Sequence, residues 1–342
     1  MLFPPALKAA QKIAVVSPSM AGPAYGLEVH EQAMRRLRRF AKIKEYPSTR
    51  QLGASAYERA RDINAAFADP EVGAIMSTLG GADQVTILPH LDPGIICANP
   101  KAFFGYSDNT HLLNWLWRHG IAGFYGGATQ VQLGPGPHID PEHKASLYAA
   151  LFGGELELTN PKAIEDHGFE WSDPRALSHF GQRYRPRPWS WSGPQRKVTA
   201  PTWGGCVEVL RDQLKAQHLP SLEQLKGSIL LLENASDILT PLEFGEFLRD
   251  LGEAGILGLV QAVLFARPPA SSFDHHPSEE AQEAYRQLLA ELTHQAVASY
   301  NPKAMVCCGV PFGHSRPQWI LPFGGTLSID GHQRRIIAHY SR

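Results

Sequence analysis

The chain contains 342 residues, of which 43% are hydrophobic and 19% are charged, and its formal net charge is -1. This length suggests about two domains, the near-equal numbers of basic and acidic residues give no reason to expect nucleic-acid binding, and the apolar fraction excludes intrinsic disorder. No apolar run reaches the roughly 20 residues that a membrane-spanning helix needs. The first twelve residues lack a charged stretch followed by an apolar one, so we expect a cytoplasmic protein with no secretory signal and no membrane partner.

The first half of the sequence alternates short apolar runs with amphipathic stretches. Hydrophobic periodicity predicts a strand, then a helix, several times in succession. This alternation indicates βαβ units, a mostly parallel sheet and therefore an α/β fold. The predicted strands are 13–16, 74–77 and 102–106, and the predicted helices are 27–40, 55–67 and 111–117.

The periodic pattern is lost between residues 166 and 198, where prolines and tryptophans are frequent. We interpret 166–198 as an irregular connection between an N-terminal domain, 1–165, and a C-terminal domain, 199–342. In the second half the sequence predicts strands at 228–232, 259–265 and 304–310, helices at 241–251 and 279–298, and β structure at 319–329 and 335–340.

The strand predicted at 102–106 runs into Ser107 and then directly into a helix. This is the layout of a nucleophile elbow, in which a tight turn presents the serine hydroxyl and the helix N-terminus offers backbone N–H groups to an oxyanion. The G-x-S-x-G pattern of α/β-hydrolases is not complete, because Asn109 replaces its second glycine. The alternative is that Ser107 or Asp108 only caps the helix.

Two other polar side chains also follow predicted strands. Glu233 comes directly after an apolar strand, and His314 lies four residues beyond another. A carboxylate on a buried strand needs a partner to offset its desolvation, and open α/β sheets place their sites at the carboxyl ends of the strands. Taken singly, Glu233 could belong to a salt bridge and His314 to a surface loop. Together with Ser107 they predict a serine, carboxylate and histidine site.

A pair of glycines, Gly80 and Gly81, ends the strand predicted at 74–77. Glycine allows a close approach of the backbone to a ligand, so the pair can supply a second oxyanion donor, cradle a phosphate or simply form a turn. The sequence has no dinucleotide or P-loop motif. The acidic and histidine residues at 274–280 lack metal-ligand spacing, and we expect neither a metal nor a cofactor.

Short motifs occur along nearly the whole chain. They are Ser17-Pro18-Ser19, 77–81 followed by Leu88-Pro89, Phe104-Gly105-Tyr106-Ser107-Asp108, Phe124-Tyr125-Gly126, Gly204-Gly205, Leu231-Leu232-Glu233 and Phe312-Gly313-His314-Ser315. In their order the sequence resembles the LD-carboxypeptidase family of serine peptidases, which includes murein tetrapeptide carboxypeptidases and the microcin C immunity peptidase. The segments 170–171, 189–191 and 201–205 are more similar to the microcin-immunity branch.

The resemblance implies a flavodoxin-like N-terminal domain, a C-terminal α/β domain and an active site at their interface. It implies a triad of Ser107, Glu233 and His314, an oxyanion hole formed by the backbone N–H groups of Gly81 and Asp108, and a homodimer. We expect Gly80, Trp203 and Cys206 near the substrate, with Trp203 stacking on a planar leaving group. The chain departs from the family at Cys206, where asparagine is common, and at Gly127, where proline is common.

The function implied is hydrolysis of an amide at the end of a short peptide, in which His314 takes the proton of Ser107 and Glu233 orients the imidazole. We expect the amide to join a terminal acidic residue to a nucleotide-like group, with an arginine or lysine, which the sequence does not identify, binding the carboxylate. One alternative is a murein tetrapeptide carboxypeptidase. Another, of a different class, is a binding protein without catalysis that holds a peptide or nucleotide-like ligand between its domains.

Overall fold

Five parallel strands and one antiparallel strand form the first sheet of the computed structural model, which describes residues 1–340. Its strands are β1 (Lys12–Val16), β2 (Lys42–Glu45), β3 (Val72–Ser77), β4 (Ala102–Gly105) and β5 (Gly123–Tyr125), and its helices are α1 (Leu27–Leu37), α2 (Ala56–Ala68), α3 (Pro93–Ala98) and α4 (Thr110–Arg118). The parallel strands lie in the order β2, β1, β3, β4, β5. This is the flavodoxin-like order, so the predicted fold of the N-terminal domain is confirmed.

The second sheet has eight strands and is parallel only in its centre. After β5 the chain continues with α5 (Pro141–Phe152), β6 (Glu155–Leu158), β7 (Ser190–Ser192), β8 (Lys197–Cys206), α6 (Val207–Lys215), α7 (Leu222–Leu225), β9 (Ile229–Glu233), α8 (Pro241–Glu253), β10 (Ala262–Ala266), α9 (Glu279–Tyr300) and β11 (Met305–Val310). The last strands are β12 (Leu321–Phe323), β13 (Thr326–Asp330) and β14 (Arg335–His339). The order in the sheet is β6, β14, β13, β8, β9, β10, β11, β7, in which β8 to β11 are parallel.

The central strands of both sheets are buried along their whole length. Every residue of β3, β9 and β10 is buried, as expected for parallel strands that helices cover on both faces. One cluster of buried apolar side chains extends through both halves of the chain. The two sheets are therefore packed into a single body, which fixes the positions of the loops at the carboxyl ends of their strands.

Two strands cross between the halves that the sequence predicted. β6 precedes residue 165 yet pairs with β14 in the second sheet, and β12 leaves the second half to pair antiparallel with β5 in the first sheet. The segment predicted as an irregular connection contains β7, which pairs with β11. Sheet membership therefore does not follow the predicted boundaries at residues 165 and 198.

Two buried ion clusters hold the rest of this connection against the body. Asp166 accepts hydrogen bonds from Arg267 at 2.6 Å and Arg286 at 2.7 Å. Asp140 accepts from Arg183 at 2.7 Å and from Arg316 at 3.1 Å. Buried carboxylates need such partners to compensate their desolvation. The start of the connection also lines one cavity together with the loops that follow β4, β9 and β11.

Candidate active site

Ser107 lies in the turn between β4 and α4 with a backbone φ of +61°. A side chain other than glycine is strained in this region, and such strain recurs in nucleophile elbows. The neighbouring loop leaves no room for a larger residue, because a Cβ on Gly80 would lie 2.9 Å from Ser107 Cβ and 3.0 Å from its Oγ. Gly80 therefore lies directly against the predicted nucleophile.

The two predicted oxyanion donors are the backbone N–H groups of Gly81, in the loop after β3, and of Asp108, which directly follows Ser107. Gly81 has a φ of +156°, and a Cβ there would collide with Ser19 Oγ. The Asp108 carboxylate points away from the cavity into the protein, where it accepts hydrogen bonds from Ser19 Oγ at 2.5 Å and from the Gln84 N–H at 2.9 Å. These bonds fix the loops that carry both backbone N–H groups.

Glu233 and His314 form a hydrogen-bonded pair. His314 Nδ1 lies 2.7 Å from Glu233 Oε2, and the Tyr125 hydroxyl donates to Glu233 Oε1 at 2.5 Å. The Glu233 side chain is completely buried, so both of its oxygens have the partner that burial requires. This contact to Nδ1 leaves Nε2 as the nitrogen available to a nucleophile.

The surroundings of this pair set the protonation of His314. Burial lowers the pKa of His314, but the Glu233 carboxylate with its hydrogen bond, helped by the charges of Glu208 and Asp237, outweighs burial, so the pKa lies above the ordinary value of 6.5. Burial and the charge of Glu233 together raise the pKa of Tyr125 well above 10. Both effects favour the neutral phenol of Tyr125, the form that donates the hydrogen bond to Glu233.

The loop that carries His314 is held by one glutamine. Gln318 Nε2 donates to the Gly313 carbonyl at 2.6 Å, and Gln318 Oε1 accepts from the Gly127 N–H at 3.0 Å. Gly313 itself has a φ of +83°, and a Cβ there would collide with the Glu233 carboxylate. The position of His314 therefore depends on a glycine that allows close approach and on a bridge to the loop after β5.

Ser107 and His314 open into the same cavity of about 380 Å³, which Gly80 and Gly81 also line. No hydrogen bond joins Ser107 Oγ to His314 within residues 1–340, as is common in triads without substrate. The structure therefore brings together the predicted serine, histidine, carboxylate and glycine pair. The cavity wall includes four aromatic side chains, Tyr106, Phe169, Trp171 and Phe273.

Two residues predicted near the substrate are not in this cavity. Trp203 is fully buried on β8, where its backbone pairs with Leu230, so its ring belongs to the core and the predicted stacking is wrong. Cys206 is buried at the end of the same strand, and its thiol donates to Glu208 Oε2 at 3.1 Å. The tryptophan that lines the cavity is Trp171, whose Cβ packs against Gly26.

Several site residues were not predicted from the sequence. Tyr125 contacts Glu233 and Gln318 holds the loop of His314, and the only sign of Tyr125 was its place in a family motif. The cation expected to bind a substrate carboxylate is also not available. In the described part of the chain Arg316 is the only arginine or lysine that lines the cavity, and it already donates to Asp140 and to the Pro135 carbonyl.

A strained serine in one half of the chain and a carboxylate–histidine pair in the other are the groups that a serine hydrolase uses. Two family models match, described as the LD-carboxypeptidase N-terminal domain over residues 13–126 and the LD-carboxypeptidase C-terminal domain over residues 199–329. The chain belongs to the LD-carboxypeptidase family and is a serine-type carboxypeptidase.

Curated relatives represent both branches of the family. The chain is 26% identical to the microcin C7 self-immunity protein MccF of Escherichia coli, over 82% of this chain and 77% of the relative. It is also 26% identical to the murein tetrapeptide carboxypeptidase of Pseudomonas aeruginosa, over 84% of this chain and 81% of the relative. Equal identity to the two relatives leaves the substrate to be argued from the site.

Solved structures share the fold. MccF in complex with aspartyl sulfamoyl adenosine has a TM-score of 0.82 at 22% identity, covering 99% of this chain and 98% of that chain. An MccF-like protein from Bacillus anthracis has a TM-score of 0.82 at 22% identity, covering 99% of both chains. Among the described residues no helix is both long and apolar enough to cross a membrane.

Proposed function

We propose that Ser107, Glu233 and His314 act as a catalytic triad that hydrolyses an amide at the end of a small substrate. The observation that carries this proposal is the His314–Glu233 contact of 2.7 Å on the wall of the cavity that also contains Ser107. A histidine oriented through Nδ1 by a buried carboxylate can accept a proton at Nε2, and a serine at the N-terminus of a helix faces backbone donors.

The reaction would proceed in two halves. Ser107 Oγ attacks the amide carbonyl while its proton passes to His314 Nε2, and the negative charge forms beside the N–H groups of Gly81 and Asp108. His314 then protonates the leaving amine as the carbon–nitrogen bond breaks. Water, deprotonated by His314, releases the acyl group from Ser107. Glu233 stabilises the imidazolium in both halves.

The leaving group that the cavity favours is planar. Trp171, Phe169 and Phe273 line the cavity together with Ser107, and a base stacked on an aromatic side chain gains about 1–3 kcal/mol. We therefore propose that the amide joins an aminoacyl residue to a nucleotide-like group, as in the microcin-immunity branch. A murein tetrapeptide, cleaved in the other branch, gains nothing from such a surface and is the second candidate.

A serine-directed phosphonofluoridate tests the triad, because it reacts only with an activated hydroxyl. We expect labelling of the intact protein on Ser107, no labelling of Ser107→Ala and slow labelling of His314→Ala. Labelling elsewhere, or equal labelling of His314→Ala, would contradict the triad. Absence of any labelling or turnover would favour the binding protein without catalysis.

The leaving group is tested by kcat/KM for an aminoacyl sulfamoyl adenosine and for murein tetrapeptide. We expect Trp171→Ala to lower kcat/KM for the nucleoside substrate about 5- to 150-fold, which corresponds to the stacking energy, and to change tetrapeptide cleavage little. Trp191→Ala is the matched control, because Trp191 lies on β7 and is not among the residues that line the cavity. Preference for tetrapeptide, or equal losses for both substrates in Trp171→Ala, would assign the protein to the murein branch.

We further propose from the family resemblance that the protein is a cytoplasmic homodimer. Size-exclusion chromatography with light scattering tests the dimer, and a mass near 37.6 kDa, that of one chain, would contradict it.

A further inference from the structure

The cavity that contains the predicted nucleophile has an acidic wall. Three carboxylates, those of Glu165, Asp166 and Asp237, line it with one arginine, Arg316. Cavities lined by one sign of charge concentrate ligand groups of the opposite sign. Which substrate charge the cavity prefers therefore depends on which of these carboxylates has no arginine partner.

Two of the three carboxylates are already compensated. The side chains of Glu165 and Asp166 are buried, and each lies beside two arginine guanidinium groups. The partners are Arg183 and Arg316 for Glu165, and Arg267 and Arg286 for Asp166. These carboxylates hold the connection in place, so they have little charge to offer a ligand.

Asp237 is the exception. It is exposed and has no ion pair or hydrogen bond within the residues that the structure describes. The start of its loop is fixed, because the Ala235 N–H donates to the Glu208 carboxylate at 3.1 Å. Burial lowers the pKa of His314, whereas the charges of Glu233, Glu208 and Asp237 raise it. The negative charge of Asp237 therefore acts on His314, the predicted general base at the same cavity.

A second group on the wall also lacks a donor. Gln132 lines the cavity and is 2% exposed, yet its Oε1 has no hydrogen-bond partner in the described structure. A buried acceptor without a partner is unusual and is commonly satisfied by a ligand or by water. Gln132 and Asp237 come from opposite halves of the chain, and both are acceptors.

We propose that the acyl residue of the substrate carries a cationic group, an ammonium or a guanidinium, that binds beside Asp237. The proposal rests on the proposed function and replaces the acidic acyl residue expected from the sequence. A carboxylate at this place would meet Asp237 with no free arginine in the cavity to compensate the repulsion. A cation brings the donors and the charge that the wall lacks.

The test compares kcat/KM for lysyl, norleucyl and glutamyl sulfamoyl adenosine, which differ mainly in side-chain charge. We expect the intact protein to prefer the lysyl over the glutamyl substrate by about tenfold, the sum of one attraction and one repulsion in a partly exposed pair. Added salt should reduce this ratio. N-acetylated norleucyl substrate distinguishes binding of the α-ammonium group, which acetylation removes, from binding of the side chain.

Substitutions assign the preference to Asp237. Asp237→Asn should remove most of it and Asp237→Lys should reverse it, whereas Asp250→Asn, the same charge change at an exposed position on α8, should leave it unchanged. A glutamyl preference in the intact protein, or unchanged ratios in both Asp237 variants, would overturn the proposal.

Binding to Ser107→Ala, measured by calorimetry with the same ligands, keeps this test separate from the proposed function. If nothing is hydrolysed, the proposed function fails. The order of the three dissociation constants still supports or refutes the role of Asp237.

Discussion

Tyr125 provides the sharpest test of how the buried carboxylate works. Tyr125→Phe removes only the hydroxyl that donates to Glu233 Oε1 at 2.5 Å and keeps the ring that packs on Phe312 and Phe323. Glu233 has no exposed surface, so water does not readily replace the lost donor. The hydroxyl also contacts Thr110 Oγ1 at 3.4 Å, so the part of any effect that is due to the carboxylate is isolated by repeating the substitution in a variant that lacks Glu233.

Its magnitude follows from the charge of the acceptor. A hydrogen bond to a charged group contributes about 1.5–3 kcal/mol. We expect Tyr125→Phe to lower the free energy of unfolding by about that amount. We also expect kcat/KM to fall about 10- to 100-fold, because a carboxylate that has lost a donor holds His314 less well in the orientation that accepts the proton.

The assay pairs chemical unfolding with steady-state kinetics. Tyr340→Phe is the matched control, because the buried Tyr340 hydroxyl donates to a neutral group, the Ile320 carbonyl, at 2.7 Å. Tyr340→Phe should lower the free energy of unfolding by about 1 kcal/mol and leave kcat/KM unchanged. In a Glu233→Ala background the kinetic effect of Tyr125→Phe should vanish. Unchanged kcat/KM in Tyr125→Phe would refute the argument that this hydrogen bond supports Glu233.

Three further substitutions test other parts of the site. Glu233→Gln should shift the acidic limb of kcat/KM to lower pH, because burial, which lowers the pKa of His314, is then opposed only by the weaker effects of the Glu208 and Asp237 charges; an unshifted limb would contradict this origin of the raised pKa. Gly313→Ala should lower both stability, by about 1–3 kcal/mol, and activity, since the φ of +83° disfavours alanine and its Cβ would collide with Glu233; wild-type values of both would contradict the need for glycine. His143 is buried on α5, and burial lowers its pKa to about 4. As the pH falls, this histidine therefore takes up a proton in the unfolded chain before it does so in the folded protein. The free energy of unfolding should then fall by up to about 3 kcal/mol between about pH 6.5 and about pH 4. His143→Gln should flatten this dependence in urea unfolding, and an unchanged slope would assign the acid sensitivity to other groups.

The sequence predicted most of the regular structure because buried parallel strands leave a plain pattern. The apolar run of β9 ends in a carboxylate, and that alone located Glu233 at the carboxyl edge of a sheet. Which strand ends would meet was not readable from spacing, since the Glu233–His314 contact joins residues 81 positions apart. The resemblance to a family supplied that pairing.

The wrong and the missing predictions also arise because local sequence does not show which distant parts of the chain meet. Trp203 beside two glycines has the composition of a ligand platform, but the face of β8 on which it lies is buried, and sequence does not say which face a helix covers. Tyr125 was missed as a partner of Glu233 because the two are 108 residues apart. Trp171 lies in a segment without periodicity, so nothing local predicted that it would reach the cavity.

The return of β12 to the first sheet has a consequence for the order of folding on the ribosome. Leu321–Phe323 pairs with Gly123–Tyr125, so about two hundred residues must be synthesised before the outer edge of the first sheet is closed. Until then β5 exposes unpaired backbone groups, which are a template for aggregation, and such non-local pairing slows folding. The first sheet is therefore completed late in synthesis, when β12 has been made. Tyr125 likewise reaches its partner Glu233 only after most of the chain has been synthesised.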